Sequence, residues 1–549
     1  MNNGYTSTTF TDDATLGVFF MLKTITVNNG GMRRAFLAAL LLSAAAFTHA
    51  THAKPPGNLS VAACARDITP VSEGLAEAYE DRFGETPALN HSDPIYMAGF
   101  GTGREATDYN DRLWARGVVV KGRGGTLALV SLDLIGYFNN QVDIVREMVE
   151  GIDYLVVHSS HQHEGPDTLG IWGPDPTTSG VDPLYLDFVN DAIADCITEA
   201  SASLVAARVK AGTITTEGLS LGISVDDDGF GVADQVVLKD DHLLAPDTNG
   251  RIVDPNLVVL QFTERARKKN VIATVVNFAS HPEVLWSANT VLTSDFPHYV
   301  RERLEQEYGG TAIWVSGALG ALQGPDRIDV SEDGINPVIE RSFDFARVHG
   351  NQLAERAIAA LDRKPGHPAP VIAYSQQKPV AVPLENPYFR FFFATGVLGN
   401  GRTLVTDGQP DTSIGFPFPP PFDVIPQALG EGLETEVGVA RIGDVGLIVV
   451  PTELDPQIGR RYRAALESVE HKLIVGLGND EIGYQVPSEK FDPSCNQCAP
   501  FILAGVPEFC PVVNPDCGTV FQNNIGSQLD PLISDALMES IGDINKVKP

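Results

Sequence analysis

The chain is short of positive charge, of cysteine and of long apolar runs, and each shortage excludes something. Only 39 Lys and Arg stand against 70 Asp and Glu, a formal net charge of −31 over 549 residues. Phosphate backbones are held by clustered Lys and Arg, and the longest basic run here is 265–269. Nucleic acid is therefore excluded as a partner, attraction to anionic lipid is not expected, and a neutral, zwitterionic or cationic substrate suits the field better. The apolar run at 35–47 is too short to span a bilayer. No low-complexity tract, internal repeat or Ser- or Gly-rich linker divides the chain. With 43% hydrophobic and 20% charged residues, disorder is excluded, and the length suffices for a core in one large or two ordinary domains.

What is present at the N-terminus has the order of a secretory signal. Met32, Arg33 and Arg34 form a basic start, the apolar run follows, and small-residue cleavage sites end at Ala50 and Ala53. This reads as a signal peptide over 32–53, with residues 1–31 upstream of the functional start, and it predicts a secreted or periplasmic protein. Four of the six cysteines, Cys495, Cys498, Cys510 and Cys517, fall in one Pro- and Gly-rich stretch. They suit two disulfides stapling a loop better than a zinc ribbon, whose second pair would need closer spacing. Cys64 and Cys196 remain as a long-range pair.

Strand-like runs recur at 127–134, 154–157, 257–262, 271–278, 312–315, 437–442, 447–450 and 473–475. Helical patterns lie between them at 141–150, 183–200, 297–308 and 456–469, with Ser294-Asp295 as an N-cap for the third. The alternation predicts an α/β, mixed α+β fold: a large mixed sheet with flanking helices, in a single catalytic domain over 54–549. Residues 385–426 interrupt it with Tyr388, Phe389, Phe391, Phe392, Phe393, Phe416, Phe418 and Phe422. These rings either line an acyl pocket or touch a membrane surface weakly, or they form a local core beneath a long excursion.

Chemistry concentrates where the strands end. The run 154–157 breaks into His158-Ser159-Ser160-His161-Gln162-His163-Glu164-Gly165-Pro166. His-x-His points two imidazoles the same way from extended chain, which suits one metal ion, although such histidines can also cap a strand. Other strand exits carry His281, Glu453 and Tyr484. Taken singly, Glu453 also reads as an acid before a helix, and Tyr484 as a packed aromatic. The His-x-His-x-Asp-His pattern of metallo-β-lactamases fails at Glu164, eight βα repeats of an amidohydrolase barrel are not found, and no Gly-x-Ser-x-Gly elbow occurs.

Several ordered blocks together resemble the catalytic domain of the neutral/alkaline, non-lysosomal ceramidase family, over most of residues 60–490. They are Asp67-Ile68-Thr69-Pro70, Met97-Ala98-Gly99-Phe100-Gly101, Asp111-Arg112-Leu113-Trp114-Ala115-Arg116, His161-Gln162-His163-Glu164-Gly165-Pro166, Asn277-Phe278-Ala279-Ser280-His281-Pro282, Pro451-Thr452-Glu453 and Gly483-Tyr484-Gln485-Val486-Pro487. The resemblance implies one catalytic Zn2+ held by His161, His281, Glu453 and Tyr484, with His163 beside it for proton transfer or oxyanion stabilisation. It implies hydrolysis of the N-acyl bond of ceramide or a related lipid amide, and no protein partner. The alternatives are another amide or ester, such as an N-acyl amino compound or a lactone, or a non-catalytic lipid- or metal-binding member.

The sequence also departs from the family. Glu164 stands where Ser is usual, which predicts an acidic, substrate-binding mouth. Ala321 replaces an expected Asp, the Tyr-Glu-Gly segment has no counterpart, and no immunoglobulin-like C-terminal domain is expected after the closing helical pattern at 528–541.

Overall fold

The computed structural model describes residues 59–548 except 216–220, 223–252, 268–269, 321, 324, 326–337, 363–365, 368–369, several positions between 387 and 408, 411–431 and 492–522. The leader, Ala321 and the cluster Cys495, Cys498, Cys510 and Cys517 fall outside the described residues.

Alternate residues of a strand face opposite ways, and here both faces are apolar. In Trp114–Gly122 and Gly125–Leu132, Val118, Val120, Leu127 and Leu129 enter one core, while Ala115, Val119, Ala128, Val130 and Leu132 enter another. A sheet apolar on both faces must be covered twice, and it is. The first sheet has eight strands: β1 (Ser60–Asp67), β2 (Trp114–Gly122), β3 (Gly125–Leu132), β4 (Tyr154–Ser159), β5 (Val205–Thr215), β6 (Asn256–Glu264), β7 (Val271–Phe278) and β8 (Thr311–Ser316), in the order β8-β7-β6-β5-β1-β2-β3-β4. Its outermost pairs, β3/β4 and β7/β8, are parallel, and the remaining neighbours are antiparallel.

The second sheet is built on β9 (Ile372–Pro383), β10 (Gly432–Ile442), β11 (Val445–Val449) and β13 (His471–Val475), with two short strands at Val405–Thr406 and Gln409–Pro410 extending it. A separate parallel bridge joins β12 (Glu453–Leu454) to β14 (Tyr484–Gln485). The sheets face each other, with Val118, Leu129, Val258 and Val275 of the first packed in one core with Ala440, Leu447, Leu473 and Val475 of the second.

Helices cover the outer faces. Seven α-helices occur among the described residues: α1 (Ala76–Phe83), α2 (Asn139–Met148), α3 (Pro183–Ala202), α4 (Phe296–Tyr308), α5 (Phe343–Leu361), α6 (Pro456–Ala465) and α7 (Leu529–Asn545). Residues of α2 and α3 pack on one half of the first sheet, α4 and α5 on the other, and α6 and α7 on the second sheet. Three helices start where an aspartate and a proline coincide. Asp182 accepts from Leu184 N, Asp295 from Phe296 N and Asp455 from Gln457 N, and proline fills the first turn without needing a partner for an N–H.

The expected mixed α/β architecture is therefore present, as two facing sheets where one large sheet was expected. The disulfide Cys64–Cys196 ties β1 to α3 across 132 residues of sequence. In the aromatic excursion, Phe389 and Phe392 are buried in the core shared by the second sheet and α7, which is the local-core alternative; Tyr388, Phe391, Phe416, Phe418 and Phe422 lie outside the described residues. Among the described residues no helix is long and apolar enough to cross a membrane.

Candidate metal centre and active site

The carboxyl ends of both sheets are drawn together by three buried polar side chains. His158, at the end of β4, places Nδ1 2.6 Å from the Gly476 carbonyl beyond β13, while its Nε2 accepts from Ser316 N of β8 at 3.0 Å. Asn277 of β7 donates to Val315 O and Ile474 O and accepts from Ile474 N. Asn479 accepts from Val157 N and donates to Leu155 O. Burial pulls His158 down to about 3, so its ring is neutral, as one donor and one acceptor require. Of the three clustered histidines, this one is a structural clamp.

Beyond the clamp, the strand exits carry the candidate donors inward. His161 sits at φ 64, a left-handed conformation uncommon for a side-chain-bearing residue and characteristic of functional turns. Its Nδ1 is 2.6 Å from the Ile135 carbonyl, and its Nε2 is 3.2 Å from Glu453 Oε2. His281 Nε2 lies 3.1 Å from the same oxygen. Glu453 is not the acid of the following helix, because Asp455 caps α6. The β12–β14 bridge sets Glu453 directly opposite Tyr484, and the Glu453 carboxylate acts on the Tyr484 phenol. Ring nitrogens of His161, His163 and His281 lie within 4.8 Å of one another.

The electrostatics follow from enclosure. Burial opposes ionisation of Glu453, yet His161 and His281 overcome it and hold its carboxyl at about 2. Burial and the Glu453 charge together push the Tyr484 phenol well above its ordinary range. Glu481, also buried and near Glu453, is driven strongly upward by the same two causes. His163 is held well below its ordinary value by burial, then by His161, His281 and Arg104.

His163 fits only because residue 99 is glycine. A Cβ on Gly99 would lie 2.5 Å from the His163 ring and 2.6 Å from its Cβ, and φ there is +98°. Phe100 meets the same ring edge-on at 4.9 Å, Trp286 lies 5.1 Å beyond Phe100, and both are partly exposed. The five residues expected from sequence, His161, His163, His281, Glu453 and Tyr484, thus come together in one buried cluster.

Glu164 does not form an acidic mouth. Its side chain is 0% exposed, with Oε2 3.2 Å from Arg104 Nη1 and accepting from Asn289 Nδ2 at 2.8 Å. Burial pushes its carboxyl well above the usual range against the pull of Arg104. Arg104 also donates to the carbonyls of Ala98 and His163, so the pair braces the loop from within. Sequence reasoning left Arg104, Glu283 and Glu481 unassigned, and gave Asp295 only the helix-capping role it has. Glu283 was within reach of such reasoning, as an acid two residues beyond a strand-exit histidine.

No family model matches the chain, and no curated protein matches it in sequence. Among solved structures it is similar to neutral ceramidase from Pseudomonas aeruginosa, with a TM-score of 0.60 and 16% identity over 89% of this chain and 75% of that one. It is similar also to a ceramidase complexed with C2, with a TM-score of 0.58, 16% identity and the same shares. At this identity the likeness establishes the fold, which is that of neutral ceramidase.

Proposed function

We propose that this chain is a secreted or periplasmic zinc-dependent amide hydrolase that cleaves the N-acyl bond of ceramide or a related lipid amide. The observation that carries the reading is the convergence of His161, His281 and Glu453 at 3.1–3.2 Å, with Tyr484 and His163 beside them. The donor set suits zinc: two imidazoles, a carboxylate and a phenol in a buried cluster, with the Nδ1 of His161 already engaged by a backbone carbonyl. His161, His281, Glu453 and Tyr484 would hold one ion. Bound there, zinc supplies Lewis acidity toward an amide carbonyl and toward water near neutral pH.

The chain's own groups do the rest. His163, neutral and with neither ring nitrogen hydrogen-bonded among the described residues, is placed to take a proton from water and return it to the leaving nitrogen, so that amide and water become acid and amine. Phe100 and Trp286 offer an apolar wall beside that ring for the lipid portion.

Elemental analysis of zinc-loaded protein, with a turnover panel of ceramides, simpler acyl amides, esters and lactones, tests the proposal. About one zinc per chain and amide turnover are expected. His161→Ala or His281→Ala should lose both metal and rate, whereas His163→Ala should keep the metal and lose about 10²- to 10⁴-fold in rate. Absence of metal from the loaded wild type refutes the centre. Turnover of esters alone moves the substrate class, and metal without turnover leaves a binding protein.

A further inference from the structure

We infer that Glu283 is a positioning residue that fixes the ring of His163 and thereby selects Nε2 as its working nitrogen; the inference rests on reading the site as a hydrolytic centre. The other two histidines of the β4 exit have their rings oriented by the backbone, His158 through Gly476 O and Ser316 N, and His161 through Ile135 O. Among the described residues His163 has no such carbonyl. The polar group that approaches its Nδ1 is Glu283 Oε2, at 3.4 Å, an ion-pair distance outside hydrogen-bond geometry, with both side chains at most 10% exposed.

The backbone holds this pair together. His163 N donates to Pro282 O at 3.2 Å, so the residue before Glu283 is fastened to His163 itself. On its other side the ring is confined by Gly99 and by the Phe100 edge, which oppose rotation away from the carboxylate. A carboxylate at Nδ1 favours the tautomer with its hydrogen there and leaves Nε2 with its lone pair. Removing the negative charge while keeping the shape should loosen that choice without disturbing His161, His281 or Glu453.

The test compares wild type, Glu283→Gln, His163→Ala and the double variant, all zinc-loaded. Glu283→Gln should keep the wild-type zinc content, lower kcat by about 10- to 100-fold, in line with the loss of an orienting partner, and leave KM within about twofold. In the His163→Ala background the same substitution should cost nothing further, because Glu283 acts through that ring. Nitrogen NMR of ¹⁵N-labelled histidine gives a readout independent of turnover: His163 should carry its hydrogen on Nδ1 in the wild type and lose that preference in Glu283→Gln. An unchanged kcat, an additive loss in the double variant or an unchanged tautomer overturns the inference. If the wild type hydrolyses nothing in the panel, the hydrolase reading fails, and the NMR comparison alone decides whether Glu283 holds the ring.

Discussion

Asp295 offers a quantitative test of how enclosure works next to this centre. Its carboxylate is fully buried, with Oδ1 accepting from Phe296 N at 2.5 Å. Burial, with the nearby Glu283 adding to it, pushes this carboxyl from 3.8 up to about 7, against backbone donors at Phe296, Leu285 and Val284. Folded protein therefore binds a proton that unfolded protein has released, and stability falls as pH rises from the unfolded value through the folded one. Three pH units at 1.36 kcal/mol each give a loss of about 4 kcal/mol, complete above about pH 7 and absent below about pH 4. Asp295→Asn keeps an oxygen for the cap of α4 but cannot ionise. The difference in unfolding free energy, variant minus wild type, should climb with pH by up to about 1.4 kcal/mol per unit and then level off. Urea titrations between about pH 4.5 and 8.5, with metal chelated throughout, measure it. Glu164 and Glu481 slope the same way in both proteins and cancel in the difference. Parallel pH curves for the two proteins would refute the assignment.

Two further outcomes follow from buried pairs. Arg104→Met leaves Glu164 without its cation and should destabilise by about 3 kcal/mol, with part of that loss absent in a Glu164→Gln background; equal losses by thermal unfolding in both backgrounds contradict the pairing. Replacing Cys64 and Cys196 by alanine opens a loop spanning 132 residues of sequence and should lower stability by about 5 kcal/mol in chain-entropy terms, and an unchanged urea midpoint would argue against that constraint.

Much of the centre was legible because each donor follows an apolar run. The runs ending in Val157, Phe278, Val450 and Val475 are continuous, as strands buried on both faces must be, so the residues beyond them could be placed at a sheet rim. The pairing of Glu453 with Tyr484 was not legible, since it is a register fact of a two-residue bridge between strands 31 residues apart. Strands β1, β2, β5 and β9 escaped notice for a different reason; in β2 the apolar run is only Val118-Val119-Val120, followed by Lys121. β5 and β9 intersperse polar and small residues on half-exposed faces, and β1 is largely small residues, so none shows a continuous apolar run. Glu164 misled because an acid in a loop after histidines reads as solvent-facing, whereas its partners Arg104 and Asn289 lie 60 and 125 residues away.

The bridge that faces Glu453 with Tyr484 has a consequence for assembly in time. As the chain is synthesised, the three histidines emerge long before the carboxylate that lies between two of them. Glu453 reaches them only after β11 has found β10, and Tyr484 only after β13 has paired beside β11. On the proposed reading, capture of an ion by the full donor set would be among the last events of maturation, and a nascent or truncated chain ending before residue 450 would be a weaker competitor for metal. If the chain is exported before it folds, as proposed, the ion that fills the centre would be selected by the metal supply at its destination and not by that of the cytoplasm.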